Sequence, residues 1–456
     1  MKTVWETYDD TRRKEMSVFS DEYRSFLNRT KTEREFVSEA VKLAEAEGFT
    51  NISESVGELN PGDRLYAINR NKNLCLFVIG EKPIRDGLNI LGAHIDSPRL
   101  DLKQHPLFEK DGYALMDTHY YGGIKKYQWV TRPMALHGVV VKKDGTTVPI
   151  CIGEDPDDPV VGVSDILIHL AAKQMEKKAS EAVEGEKLDL IVGSIPVEDK
   201  DEKEPVKKYL LDLLKEKYDI EEDDFISAEI EVVPADPVRD FGIDRSMIMG
   251  YGHDDRICAY TSLRAIIDMK IPKRTSCCIL TDKEEIGSDG ATGMKSRWFE
   301  SILVNLLDRT NEGTLNGLNT TLAKSKMLSS DVSAGVDPNY DAVFEKKNAA
   351  FLGRGICFNK YTGARGKGGC NDANPEFIAE VRRVMDEAGV VFQTGEIGAV
   401  DAGGGGTIAA ILAELNMDVL DAGVPVLNMH APSELASKAD LYEAYRAYKA
   451  FLEKIS

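Results

Sequence analysis

Leu88-Asn89-Ile90-Leu91-Gly92-Ala93-His94-Ile95-Asp96-Ser97 begins as an apolar run and ends in side chains that bind protons and metals. The run has the length and composition of a buried strand, and the break at His94 marks where that strand meets a loop. The same arrangement recurs twice. Cys277-Cys278-Ile279-Leu280-Thr281 precedes Glu284-Glu285, and Val424-Pro425-Val426-Leu427-Asn428-Met429 precedes His430. In open α/β sheets, ligands collect outside the carboxyl ends of the strands. Imidazoles and carboxylates delivered to one such edge make a site for divalent metal, zinc or a close relative, in a hydrolase that activates water.

Around these runs, helix and strand patterns alternate. Phe19, Tyr23, Phe26, Phe36, Ala40, Leu43 and Ala44 recur at helical spacing and predict one or two amphipathic helices within residues 8–47. Residues 74–79 read as a buried strand. Further on, the pattern predicts helices over 255–268, 296–307, 374–388, 406–415 and 438–454, and strands over 275–281, 326–331, 355–360 and 424–429. The texture in between differs. Residues 113–153 hold short β-type runs punctuated by Gly and Pro, the acidic run at 198–204 reads as a solvated loop, and 228–234 reads as a strand. An α/β domain built from residues 1–98 and 246–456, with a β-rich domain inserted at 99–245, accounts for this organisation.

At 456 residues, two domains are expected, and 42% hydrophobic with 29% charged residues is ordinary globular composition. The formal charge of −20 argues against nucleic acid or an anionic membrane surface as partner, because phosphates would be repelled. No apolar run approaches a membrane span, and the first seven residues, Met1 to Thr7, lack a basic-then-apolar leader. Seven Cys without a CxxC pair point to free thiols in a reducing compartment. The expectation is a soluble cytoplasmic protein.

The chemistry resolves residue by residue. His94 and Asp96 lie two apart and share a face, and a carboxylate beside a metal-bound imidazole fixes its tautomer and raises its basicity. Asp254-Asp255 opens a helix: one Asp caps it, while the other can aim both oxygens at two metals, and His253 serves structure. Adjacent Glu284 and Glu285 repel each other unless cations offset them. One can bind metal while its neighbour takes a proton from water. Asp331 and His430 each end an apolar stretch with one further potential ligand. Gly403 to Gly406 open a helix whose N–H groups can receive an anionic or carbonyl oxygen, but GxGxxG is absent and a nucleotide is discounted. Lys360, Arg365 and Lys367, around the glycine-rich stretch 363–369, suit an acidic substrate group; a surface turn reads the same residues equally well.

In chain order, Gly92-Ala93-His94-Ile95-Asp96-Ser97-Pro98, Tyr121-Gly122-Gly123, Asp254-Asp255-Arg256, Glu284-Glu285-Ile286-Gly287-Ser288, Ser330-Asp331-Val332 with Pro338-Asn339-Tyr340, and Met429-His430 span nearly the whole sequence. The set resembles the M18 metallo-aminopeptidases, the aspartyl aminopeptidases, within the co-catalytic zinc peptidase clan. That resemblance implies a zinc-peptidase (phosphorylase/hydrolase-like) mixed sheet sandwiched by helices, and two divalent ions per subunit, zinc with cobalt or manganese as alternatives. One ion would be held by His94, Asp254 and Asp331, the other by Asp254, Glu285 and His430, with Asp254 bridging. Glu284 would be the general base, with Asp96 in the catalytic set. The substrates implied are peptides with a free N-terminus. The inserted domain would mediate dimerisation, and dimers would assemble into a tetrahedral dodecamer in which His169 reaches a neighbour's substrate. Lys367, or alternatively Lys360, would read an acidic side chain. Two departures leave the preference for Asp or Glu open: Asp255 stands where eukaryotic members carry Asn, and the loop 363–370 is richer in Gly than theirs. Two rivals remain. One is a metal-dependent amidohydrolase or deacylase acting on acylated small molecules, and the other is a non-catalytic scaffold that keeps the fold.

Overall fold

Four parallel strands end at one edge of a nine-stranded mixed sheet, and they carry the chain into the loops that hold the candidate residues. The computed structural model describes residues 3–55, 57–363 and 366–456. In the sheet, Thr50–Asn51, Arg64–Asn69, Asn73–Val78, Ser276–Thr281, Asn89–His94, Lys326–Ser329, Asp418–Gly423, Ile356–Asn359 and Phe392–Thr394 lie side by side in that order. Ser276–Thr281, Asn89–His94, Lys326–Ser329 and Asp418–Gly423 run parallel, with Thr281 level with His94 and Ser329 level with both Gly92 and Asp421.

Every residue of Asn73–Val78, Asn89–His94 and Ser276–Thr281 is buried, which is why these strands read as continuous apolar runs. Successive side chains feed opposite cores. Leu91, Ala93, Cys278 and Leu280 pack with Tyr23, Phe36, Leu263, Tyr448 and Phe451; Ile90, Cys277 and Ile279 pack with Phe299, Leu303, Leu306 and Met327. Each such large side chain contributes roughly 1.5–3 kcal/mol on burial. The predicted amphipathic helices are Asp10–Arg29, capped by Asp9 accepting from the Arg12 N–H at 2.8 Å, and Glu33–Ala46, opened by a Thr32/Glu35 capping box. The helix Lys438–Lys454 packs on His253–Ile267 beneath the sheet.

Two expectations are corrected. The run at 424–429 is only a three-residue strand, Pro425–Leu427, and it belongs to a separate five-stranded sheet with Arg239–Phe241, Met247–Gly250, Glu434–Ser437 and Ser333–Ala334. The strand that completes the large sheet is Asp418–Gly423, where buried Asp421 interrupts the apolar signal. The helix predicted over 406–415 shortens to Ile408–Ala413, with Thr407 as its cap, so the four glycines precede it rather than open it.

By contacts the chain divides into two compact units. The unit just described comprises the residues up to Asp96, Val238–Met429 and Ser433–Ser456. The second, Ser97–Pro237 with His430–Pro432, is built on a seven-stranded antiparallel sheet: Thr147–Ile152, Met134–Val141, Ala228–Pro234, Arg99–Lys110, Tyr113–Tyr121, Leu190–Gly193 and Gly162–Val163. It also holds the helix Pro205–Tyr218, and the acidic run before that helix is an exposed loop. Among the described residues no helix is long and apolar enough to cross a membrane.

Candidate metal centre

His94 is the last residue of its strand and is almost fully buried. Its Nδ1 lies 3.0 Å from the carbonyl oxygen of Asp96 and 3.3 Å from the Asp96 carboxylate. A proton on Nδ1 leaves the Nε2 lone pair facing the other way, toward carboxylates of three separate segments. Nε2 is 3.2 Å from Asp254 Oδ1 and 3.9 Å from both Asp331 Oδ1 and Glu284 Oε2. Burial disfavours the imidazolium, but Asp254, Asp96 and Asp331 outweigh it and hold the His94 pKa well above its usual value.

Each carboxylate arrives for a local reason. Asp331 follows Lys326–Ser329 after a single residue, Ser330. Asp254 and Asp255 sit at the start of His253–Ile267, in non-helical backbone joined by a cis peptide. The turn into that helix needs Gly252, whose φ of +79° a side chain would strain. Asp255 Oδ2 accepts the His94 backbone N–H at 3.4 Å, while its Oδ1 is buried without a hydrogen-bond partner. Glu284 and Glu285 lie on a tight 3-10 turn between left-handed Lys283 and Gly287. The fully buried Asp96 holds that turn, accepting the N–H of Glu284 at 3.1 Å and of Glu285 at 3.2 Å. Beneath it, Asp282 accepts from Thr292 Oγ1 at 2.6 Å, and burial, with Glu33 and Asp96 nearby, pushes its pKa up to about 7.

The donor chemistry fits divalent metal. Ligand atoms of His94, Asp254 and Glu285 lie within 4.8 Å of one another, as do those of His94, Asp255 and Asp331. Burial, then the like charges of Asp255, Glu284 and Asp254, raise the Asp331 pKa well above the carboxylate range, against the pull of His94. A cation relieves that crowding of negative charge.

Further sequence candidates stand on other segments of the chain. His430 belongs to the second unit, where its Nδ1 lies 2.8 Å from the Gly123 carbonyl oxygen. His169 stands in an exposed 3-10 turn, Ile168–Leu170, of the same unit. Lys360 follows Ile356–Asn359, which runs antiparallel to Asp418–Gly423 and so leads the chain away from the edge carrying Asp331. Lys360 and Lys367 both pair with Asp372, and Lys367 Nζ also lies 3.9 Å above the Tyr361 ring. Arg365 lies outside the described residues. His253 is structural, as expected: Tyr23 Oη is 2.8 Å from its Nδ1, and burial lowers its pKa to about 4. Sequence reading missed Glu434, a buried carboxylate that accepts the Asp254 backbone N–H at 3.0 Å, and nothing in Ser433-Glu434-Leu435 signals it.

Known proteins match this architecture along its whole length. The profile of the aminopeptidase I zinc metalloproteases (M18) fits residues 26–452. A probable M18 family aminopeptidase 1 of Clostridium acetobutylicum is 57% identical over 454 residues, covering 99% of this chain and 98% of that protein. The crystal structure of an M18 family aminopeptidase from Thermotoga maritima superimposes with a TM-score of 0.95 at 46% identity, covering 99% of both chains. The mApe1 dodecamer of S. cerevisiae shares the fold alone, with a TM-score of 0.75 at 20% identity over 95% of this chain and 96% of that one. With sequence, profile and fold agreeing from end to end, the chain belongs to the M18 family of zinc metallo-aminopeptidases.

Proposed function

We propose that the peptidase works through two divalent ions, zinc in the first instance, gathered around His94. The observation that carries this reading is the convergence of Asp254, Asp331 and Glu284 on the Nε2 face of one buried imidazole whose Nδ1 face is occupied by Asp96. His94, Asp254 and Asp331 are the proposed ligands of one ion, and Asp254, Glu285 and His430 those of the other, following the family resemblance. His430 suits the part, because a Nδ1 proton shared with the Gly123 carbonyl leaves Nε2 as its donor atom.

Bound ions at this place supply Lewis acidity, polarising the scissile carbonyl and easing the ionisation of water. The chain's own residues do the rest. Glu284, on the same turn as Glu285 but assigned no ion, removes a proton from the attacking water and returns it to the leaving amine nitrogen. Asp96 fixes the His94 tautomer and holds the turn that aims both glutamates. Substrates are peptides with a free N-terminus. An acidic first residue, read by Lys367, is the finer part of the proposal, and it has to contend with Asp372, which already engages both Lys360 and Lys367.

The second unit is proposed as the dimerisation domain of a dodecamer, with His169 presented to a neighbouring subunit. The exposed apolar segment Ile166, Leu167, Ile168 and Leu170 around His169 supports an interface there. Cys75, Cys258, Cys277, Cys278 and Cys357 are buried free thiols, which accords with a cytoplasmic location.

The test is a panel of amino-acid chromogenic amides, with free and acetylated N-termini, assayed on chelator-stripped protein given Zn, Co or Mn. Free-amine amides should turn over only with added metal, and an enzyme equally active on acetylated ones is a deacylase instead. Hydrolysis of Asp and Glu amides no better than Leu amides removes the acidic preference.

A further inference from the structure

We propose that Glu434 is a positioning residue for the metal centre, one that sets the direction of Asp254 through its backbone. This rests on the reading of Asp254 as a metal ligand. Glu434 opens the strand Glu434–Ser437, which pairs antiparallel with Met247–Gly250 so that Glu434 lies level with Gly250, four residues before Asp254. Its side chain is 1% exposed, and Oε2 accepts the Asp254 N–H at 3.0 Å.

That N–H has a particular need for a partner. Asp254 and Asp255 depart from helical backbone, with ψ of 106° at Asp254, so the opening of His253–Ile267 is held by side chains rather than by regular helix geometry. Neighbours fix it on every flank. Gly252 makes the turn, His253 is gripped by Tyr23 and by the Ile248 carbonyl, and Asp255 is tied to the His94 N–H. Glu434 fixes the one peptide from which the Asp254 carboxylate departs toward His94 Nε2.

For the Asp254 N–H alone, a neutral oxygen would serve the backbone as well as a buried carboxylate. Glu434 also adds one more negative charge behind a cluster that must retain cations, as conserved outer partners of metal ligands do in general. The two contributions are separable. Glu434→Gln keeps an oxygen acceptor of the same reach and removes the charge, whereas Glu434→Ala removes both.

Co2+ serves as the probe, titrated into chelator-stripped wild type and both variants and followed by its visible absorption, with thermal melting recorded on each apo protein. Glu434→Ala should weaken Co2+ binding by roughly 10–100-fold. Glu434→Gln should restore most of that affinity, with its visible band at the wild-type position and KM for a free-amine amide unchanged. Wild-type affinity in a folded Glu434→Ala protein overturns the proposal. So does a Glu434→Gln protein that melts normally but binds Co2+ no better than Glu434→Ala; should Glu434→Ala not fold, a Glu434→Gln loss of tenfold or more does the same. Wild-type protein that takes up no Co2+ overturns the metal reading itself, a result unlike either of these.

Discussion

Asp96 places its carboxylate 3.3 Å from His94 Nδ1 while the same group receives the N–H of Glu284 and of Glu285. One buried anion therefore aligns an imidazole and a glutamate turn that are nearly 200 residues apart in sequence. Asp96→Ala should lose metal affinity by roughly 10–100-fold and activity with it. Metal content after dialysis against a weak chelator measures this, and wild-type occupancy would contradict the assignment.

Glu284→Gln separates chemistry from binding. The amide keeps the size of the side chain and cannot take a proton, so turnover should fall by about 10²–10⁴-fold with metal content near that of wild type. Steady-state assays beside elemental analysis decide it. Turnover close to wild type would remove Glu284 from the proton-transfer role.

Asp421 carries a pH signature of its own. Burial, only partly offset by the Thr407 hydroxyl, raises its pKa from 3.8 to about 7, and its Oδ2 has no hydrogen-bond partner. Between those values the folded state holds a proton that the unfolded state has released, so this group's contribution weakens as pH rises and its cost is complete above about pH 7. Asp421→Asn mimics the neutral form. It should stabilise the protein by about 1–3 kcal/mol at pH 8 and by much less at pH 5, as read by denaturant titration at both values. An equal effect at both pH values would count against it.

Ile168 and Leu170 are each 68% exposed, so replacing both with Asp should cost the fold little, within about 0.5 kcal/mol per site. The proposed assembly should break down. Light scattering on the double variant should report a smaller particle than wild type, and an unchanged mass would move the interface elsewhere.

His94, Glu284 and Asp331 were readable in the sequence because each ends or closely follows a buried strand, which leaves an apolar run before it. Asp418–Gly423 was not, since Asp421 places a carboxyl in its middle, and the short run after it carries the stronger apolar signal. Arg99–Lys110 escaped for another reason. Lys103, Gln104, His105 and Glu109 give a half-solvated strand the look of a loop. The pairing of Glu434 with Asp254 depends on the register of Glu434–Ser437 against Met247–Gly250, and no local pattern encodes it. The commitment of Lys360 and Lys367 to Asp372 was hidden in the same way, by a contact rather than a motif.

In the large sheet, Ser276–Thr281 lies between Asn73–Val78 and Asn89–His94, two strands only ten residues apart along the chain. A ribosome that has released His94 must therefore synthesise almost two hundred more residues before that gap can be filled. Until then two apolar strand edges stand unpaired, exposed to other nascent chains, and the long loop to be closed makes their union slow. Helix Lys438–Lys454, which seals the underside, is made later still. Folding of this sheet should accordingly be completed only after Lys438–Lys454 has left the exit tunnel, which is when proteolytic resistance should appear.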